Sequence, residues 1–107
     1  MSHRVVSVHS LQVGAEALGR AKLSLHRDEP APGVRGLKSW ALSGRLDRAG
    51  PLPEDSDAVI TLDDGRVLKG RALLANSRIS ADSRGAVTEY EYRGTGPLEG
   101  TNDADYG

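Results

Sequence analysis

The three histidines are the residues of this chain best suited to bind a metal ion, because imidazole nitrogen is a common zinc ligand. They are His3, His9 and His26, and the chain contains no cysteine. The even spacing of His3 and His9 would place both side chains on one face of an unbroken strand. The apolar alternation shifts by one residue after His9, however, as a β-bulge or a break between two strands would require. No nearby acid completes a ligand set, so we predict neither a metal site nor a cofactor.

Two pairs of carboxylates have spacings that acid–base chemistry could use. Asp63 and Asp64 are adjacent and precede Gly65, so a tight turn accounts for them. Glu89 and Glu91 would lie on one strand face, about 6 to 7 Å apart, which is compatible with hydrolysis of a glycosidic bond. A solvated or subunit-facing strand is the favoured explanation of the second pair. No serine occurs in a Gly-X-Ser-X-Gly pattern, so we predict no catalytic residue and no enzymatic activity.

The glycine-rich segment near the end of the chain does not have the features of a phosphate-binding loop. Gly94, Thr95 and Gly96 are followed by Pro97, and neither a helix nor a Gly-Lys-Ser/Thr ending comes after them. We therefore interpret these residues as the end of a strand.

The composition favours short strands over long helices. The chain has 107 residues, 13 glycines, 5 prolines and no phenylalanine, so one domain with one modest aliphatic core is expected. Six or seven short alternating runs predict an all-β fold, a small β-barrel or β-sandwich of mostly antiparallel strands. Residues 1–98 form this single β domain, and residues 99–107 form an acidic tail that we expect to be disordered.

Alternation within these runs predicts which residues are buried and where the chain turns. The hairpin turn is placed at Asp63, Asp64 and Gly65, and Gly70 inside the return strand predicts a bulge or a barrel corner. The proline-rich segments 28–36 and 48–57 are expected to be irregular loops. Acidic Glu89 and Glu91 resist burial, so the opposite face of the last strand should point inward. The predicted core residues are Leu23, Leu25, Trp40, Leu42, Ile60, Leu62, Leu68, Leu74, Tyr90 and Tyr92.

Charge and hydropathy exclude several classes of protein. The net charge is −1 and the pI is about 6.3, whereas a dedicated nucleic-acid-binding protein would carry a basic surplus. The N-terminal residues lack the apolar core and cleavage site of a secretory signal, and no stretch approaches the length of a transmembrane helix. We expect a soluble protein made in the cytoplasm, with no membrane partner.

The paired runs ITLDDGRVLKGRALL and AVTEYEYRGTGPL resemble the C-terminal half of phage tail-tube proteins and related small phage tail proteins. The features that carry the resemblance are the Asp64-Gly65 turn, Gly70, and the segment 94–98, all within residues 58–98. The resemblance implies subunits that join edge to edge into a ring, commonly hexameric, with rings stacked into a tube. It also implies a location in a virion or phage-like particle made in the bacterial cytoplasm, with nucleic acid met only through a lumen.

The chain departs from that family in length, and we identify in it neither the long hairpin nor the flanking helix that such subunits often carry. A smaller tail or adaptor component is therefore open as well. In either role its partners are other copies of the chain and other particle subunits. The contacts are predicted on the return strand 66–75 and the last strand 86–93, with the two loops contributing. The candidate interface residues are Arg66, Lys69, Arg71, Glu89, Glu91 and Arg93.

An alternative reading is a monomeric small β-barrel that binds a peptide or a single-stranded nucleic acid. It rests on a basic return strand near two tyrosines, which could together form an oligonucleotide-binding face. The residues concerned are Arg66, Lys69, Arg71, Arg78, Tyr90 and Tyr92.

Overall fold

The computed structural model describes residues 2–27, 38–48, 50–82 and 85–101. These residues form six β-strands and no helix, so none of them belongs to a helix long and apolar enough to cross a membrane. The predicted loop 28–36 and the end of the tail, 102–107, lie outside the described residues. The strands are β1 (Ser2–Val13), β2 (Glu16–Arg27), β3 (Lys38–Leu46), β4 (Asp55–Leu62), β5 (Val67–Asp82) and β6 (Gly85–Gly94).

The six strands close into one barrel in the order β1-β2-β3-β6-β5-β4, with β4 pairing back onto β1. Every pair is antiparallel. The predicted all-β fold is therefore confirmed, in its barrel form. Closure suits a chain with a thin aliphatic core, because most strands then have a hydrogen-bonded neighbour on both sides.

The barrel interior is filled mainly by leucine and valine side chains, around Trp40 and Tyr92. Of the predicted core residues, only Leu74 is half-buried, and the others are buried. Several further residues share the core and were not on the predicted list: Val8, Leu11, Val13, Leu18, Ala58, Ala72 and Leu98. The predicted bulge after His9 is present, since the pairing of β1 with β2 shifts register between Val8 and Leu11.

The β4–β5 hairpin turns where the sequence predicts. Gly65 adopts φ +92°, a left-handed conformation that glycine reaches without strain. Its N–H donates to the Leu62 carbonyl at 3.0 Å, and the Asp64 carboxylate accepts the Arg66 N–H at 2.9 Å. The strand before this turn begins at Asp55, so the predicted loop 48–57 is shorter than expected.

Two glycines make room for the indole of Trp40. A Cβ on Gly70 would lie 2.6 Å from Trp40 Cζ2, and one on Gly94 would collide with the same ring. The register of β4 with β5 runs through Gly70 without a shift, so the predicted bulge is absent there, while the alternative of a barrel corner stays a prediction. The strand needs glycine at this position because the indole occupies the space of a side chain. The Trp40 Nε1–H then donates to the Gly96 carbonyl at 2.9 Å.

The chain continues past β6 along β5 instead of leaving the barrel. Thr95 donates its N–H to the Arg71 carbonyl at 3.0 Å, and Leu98 is buried. Glu99 exchanges both backbone hydrogen bonds with Lys69, at 3.1 and 2.7 Å. Glu99, which the sequence assigned to the disordered tail, is therefore held against the barrel.

Candidate interaction surfaces

Strand β4 is shorter than the two strands beside it, and this leaves two strand edges open. It pairs with β1 only from Val8 to Val13, and with β5 only as far as Leu73. Among the described residues, segments 2–7 of β1 and 75–82 of β5 therefore have a strand neighbour on one side only. We call these segments the β1 edge (residues 2–7) and the β5 edge (residues 75–82).

The β5 edge belongs to a hairpin with β6 that extends past the barrel. The pairing of β5 with β6 shifts register between Leu74 and Asn76, which places a bulge at Ala75. The Leu74 N–H points away from β6 and donates to the Glu54 carbonyl at 2.7 Å. Counting on from Leu74 through the bulge, the N–H groups of Ser77 and Ile79 also point away from β6. A β5–β6 hairpin of this length was not predicted from the sequence.

The β5 edge has some of the devices that protect a free strand edge, namely the bulge at Ala75 and the charged side chain of Arg78, and it lacks others. Its sequence, ANSRISAD, contains no proline and no lysine. Ile79 is 57% exposed, and it lies opposite Thr88, on the side of the hairpin that continues the barrel interior. An exposed β-branched residue beside unpaired N–H groups is typical of a surface that accepts another strand.

The β1 edge lies at the other end of the barrel. Val5 is 54% exposed on its outer face, while Arg4 lies opposite buried Leu25 and so shares the inner face. Strands β1 and β5 are each antiparallel to β4, so they run in the same direction. A β1 edge added to the β5 edge of another copy in a continuing sheet would therefore pair in parallel.

Five of the six predicted interface residues lie on strands whose backbone is already paired, and Arg66 lies in the hairpin turn before β5. Segment 88–93 of β6 has β3 on one side and β5 on the other. Segment 67–73 of β5 lies between β4 and the chain from Arg93 to Glu99. An interface formed by these six side chains stays a prediction. Another strand cannot be added at the two segments, because their backbone is already hydrogen-bonded on both sides.

Several of these outward side chains are engaged with neighbours. Arg71 binds Asp55 at 2.8 Å and Asp57 at 3.4 Å, and the hydrogen bond and charge of Asp55 raise the pKa of Arg71 above its ordinary value. Glu89 binds Arg78 at 2.9 Å, and the Arg93 guanidinium lies 3.8 Å from Glu91. Arg66 donates to the Gly100 carbonyl at 2.7 Å. All of these interactions are exposed to solvent, which screens the charges of the ion pairs.

The residues considered for chemistry are not assembled into a site. His3 and His26 are cross-strand neighbours with ring centroids 6.0 Å apart, while His9 lies in the β1 bulge. No group of three potential metal ligands occurs in the part of the chain that the structure describes. Tyr90 and Tyr92 are buried, so their rings are not exposed for base stacking beside the basic strand.

The two buried tyrosines differ in how their hydroxyls are satisfied. The Tyr92 hydroxyl donates to the Pro53 carbonyl at 2.7 Å, whereas the buried Tyr90 hydroxyl has no hydrogen-bond partner among the residues that the structure describes. The Tyr90 ring folds across Gly44, its partner on β3, and contacts the Tyr92 ring edge-on at 5.8 Å. Burial raises the pKa of both hydroxyls to about 12. Both hydroxyls are therefore neutral at physiological pH, and both rings act in packing.

No protein-family model and no curated protein sequence matches the chain. Among solved structures, it is similar to a chain in the tail of an empty gene transfer agent (GTA) particle, determined by helical refinement with C6 symmetry. The TM-score is 0.51 at 15% sequence identity, over 95% of this chain and 81% of that chain. At this identity the similarity shows a shared fold, and the fold is one found in a phage-like particle tail.

Sequence reasoning missed both open edges. The sequence does contain one signal for the β5 edge. Residues 71–82 contain no glycine or proline to end the strand, and their apolar and polar residues do not follow the pattern of a strand that is buried on both faces. The length of β4 relative to β1 and β5 depends on strand pairing, however, and cannot be predicted from a local sequence pattern.

Proposed function

We propose that this protein is a non-enzymatic structural subunit of a phage-like tail or related particle, which joins copies of itself through the β1 edge and the β5 edge. The observation that carries the proposal is the pair of open edges that the short strand β4 leaves on β1 and β5, at opposite ends of the barrel. The similarity to a chain of a C6-symmetric particle tail supports it. In this role the protein is located in the particle, and its partners are other copies and other particle subunits.

The two edges are different surfaces, so they favour a head-to-tail interface over a two-fold one. A head-to-tail contact repeats from copy to copy, and it produces a ring if the rotation closes or a helical filament if it does not. Each junction would satisfy the outward N–H groups of the β5 edge and cover the exposed side chain of Ile79. Both gains are absent in an isolated copy, where water must satisfy the backbone.

The first test is the molar mass of the purified protein by multi-angle light scattering, with negative-stain microscopy of the same fractions. We expect a closed oligomer. Ile79→Pro removes one outward N–H and should reduce the oligomer to monomer, because proline cannot donate to the added strand. Ile79→Thr is the matched control, since it keeps the N–H and a β-branched side chain. A wild-type protein that stays monomeric at high concentration would overturn the proposal.

Cysteine cross-linking tests which edges meet. The natural chain has no cysteine, so introduced thiols are the only ones present. Ser7 and Ser80 lie opposite Lys22 and Val87 on the two edge segments. Ser7→Cys combined with Ser80→Cys should give a ladder of cross-linked oligomers after oxidation, and neighbouring positions on each strand scan the register. Ser80→Cys alone should give no dimer, and a strong dimer there would indicate a two-fold β5–β5 contact instead.

A further inference from the structure

A groove crosses the strands on the outer wall formed by β1, β2 and β3. Its volume is about 580 Å³. Its floor is the backbone of Val8, Ala21 and Gly44, which form one row because Val8 pairs with Ala21 and Ala21 pairs with Gly44. The side chains of Val8 and Ala21 pack in the core, and the Tyr90 ring covers the inner side of Gly44. The outer side of this row is therefore bare backbone between outward side chains, and we call it the wall groove.

Lys22 stands at the rim of the wall groove with no acid beside it. It lies opposite Ser7 on β1 and Ser43 on β3. Lys22 is exposed, and it forms no ion pair with any residue that the structure describes. The serine side chains on either side are short, so the positive charge of Lys22 is open to a partner from outside.

Arg45 is the second cation at the rim. It lies opposite Glu89 on β6, but Glu89 also lies opposite Arg78 on β5. The Glu89 carboxylate accepts a hydrogen bond from Arg78 at 2.9 Å, and Arg45 forms no ion pair with any described residue. One carboxylate thus lies between two arginines and is engaged by one of them. The other arginine, Arg45, stays exposed beside the wall groove.

The spacing of the two cations matches that of alternate side chains on an extended chain. Arg45 lies two residues beyond Ser43, the partner of Lys22, so the two cations are diagonal neighbours about 7–8 Å apart. Like charges at this separation repel each other, and an anion bound between them removes the repulsion. An extended segment places the side chains of residues i and i+2 on one side, about 6–7 Å apart. Two acids spaced in this way can therefore set one carboxylate on each cation.

The surroundings of the wall groove favour a short acidic segment over a nucleic acid. Asp63 lies 3.6 Å from Arg20 on the β4 side, and Glu89 lies on the β6 side. The three strands between them span only about 10 Å. A phosphate backbone that continued past this length would meet these acids, whereas a segment of a few residues fits between them. Trp40 is the only large aromatic residue in β1, β2 and β3, and it is buried, so the wall offers no ring for base stacking.

We propose that the wall groove binds a short extended segment of another protein that carries two carboxylates two residues apart, one on Lys22 and the other on Arg45. The hydroxyls of Ser7 and Ser43 flank Lys22 and can donate hydrogen bonds to the same carboxylate. The groove lies on the barrel wall and includes only Ser7 of the β1 edge. It therefore adds to the proposed self-contact a surface for a partner of different chemistry, and it is complete within one copy.

Two peptides of identical composition test the spacing. The probe is fluorescently labelled Gly-Ser-Glu-Ala-Glu-Ser-Gly with blocked ends. Its isomer, Gly-Ser-Ala-Glu-Glu-Ser-Gly, directs its two carboxylates to opposite sides of an extended chain. In fluorescence anisotropy at about 0.05 M salt, the probe should bind at least about fivefold more tightly than the isomer, since only the probe satisfies both cations at once. An equal concentration of short oligothymidylate should not displace the probe.

Substitutions identify the surface that the probe occupies. Lys22→Gln with Arg45→Gln should lower the affinity for the probe at least about tenfold and remove its advantage over the isomer. Lys38→Gln with Arg48→Gln is the matched control, because it removes the same net charge at two positions outside the wall groove. The control should keep the preference for the probe. Thermal unfolding checks that each variant is folded.

The outcomes separate this inference from the proposed function. Binding is also measured with Ile79→Pro, in which the lateral contact is removed, and the affinity for the probe should be unchanged there. Loss of binding in that variant would contradict a site contained in one copy, while monomeric wild-type protein that still prefers the probe would leave the groove standing without the ring. Equal affinities for the two isomers, an unchanged affinity after loss of Lys22 and Arg45, or displacement by oligothymidylate would each overturn the inference.

Discussion

The two halves of β5 share one strand and have opposite environments. Between Val67 and Leu73 the backbone is paired on both sides, and Leu68 and Ala72 are buried in the barrel core. From Ala75 to Asp82 the strand is paired with β6 alone, and Ile79 is among its exposed side chains. The bulge at Ala75 separates the two halves. The comparison shows that closure, not strand propensity, decides which part of β5 contributes to stability and which part remains open for another chain.

The largest effect should come from removing the barrel's main aromatic residue. Trp40→Ala takes away the ring that packs on Gly70 and Gly94, and it should lower the free energy of unfolding by about 3–5 kcal/mol. Urea denaturation at constant protein concentration measures this. Ile79→Ala on the β5 edge is the counterpart, with an expected change within about 0.5 kcal/mol. Equal losses in the two variants would mean that the edge is as integral to the fold as the barrel.

A smaller effect is expected where a methyl group is added beside Trp40. Gly94→Ala places a Cβ in the space of the indole, and the overpacking should cost about 1–3 kcal/mol. Gly96→Ala is the control two residues along the chain, because a Cβ there meets no atom within 4 Å. Differential scanning calorimetry should show a lower melting temperature for the first variant alone. A stable Gly94→Ala protein would indicate that the indole has room to shift.

The two tyrosines should respond differently to loss of the hydroxyl. Tyr92→Phe leaves the Pro53 carbonyl without its donor and should cost about 1 kcal/mol. Tyr90→Phe removes a buried hydroxyl that no other described residue binds, so it should be neutral or slightly stabilising. Chemical denaturation of both variants side by side gives the difference. A loss in Tyr90→Phe equal to that in Tyr92→Phe would reveal a hydrogen bond at Tyr90.

Alkaline pH should weaken the barrel through the same residues. The pKa of Tyr90 and Tyr92 is about 12 in the folded protein, against 10.0 for an ordinary tyrosine. An unfolded chain therefore releases these protons first, so stability is complete below pH 10 and falls as the pH rises towards 12. Absorbance of tyrosinate near 295 nm, in a Tyr106→Phe background, follows the titration. Tyr90→Phe and Tyr92→Phe should each reduce the loss of stability between pH 10 and pH 12. If both variants kept the wild-type dependence of stability on pH, the two tyrosines would not be its cause.

Much of the fold could be predicted because local patterns carry it. The Asp64-Gly65 turn follows from turn chemistry, and the inward face of β6 follows from the cost of burying Glu89 and Glu91. The role of Gly70 could not be found in the same way. A glycine inside a strand indicates only that there is no room for a side chain. At Gly70 the space is occupied by the indole of Trp40 on β3, which is distant in sequence.

The candidate surfaces were less predictable than the fold. The sequence favoured the basic return strand because its charges are visible in one segment, yet Arg71 and Arg78 are engaged by acids from other segments. The open edges depend on where β4 ends relative to β1 and β5. That relation is a matter of register, and a shift of a few residues would move both edges.

The sequence by itself determined that this chain is an all-β protein with an aliphatic core, because apolar alternation and glycine turns are local properties. Only the tertiary structure decided that the strands close into a barrel, that β5 continues past it, and that β1 and β5 keep open edges at its opposite ends. These features arise from the pairing of segments far apart in sequence. Pairing is chosen by the free energy of the whole sheet, in which each strand must find a partner on both sides or leave an edge for another molecule.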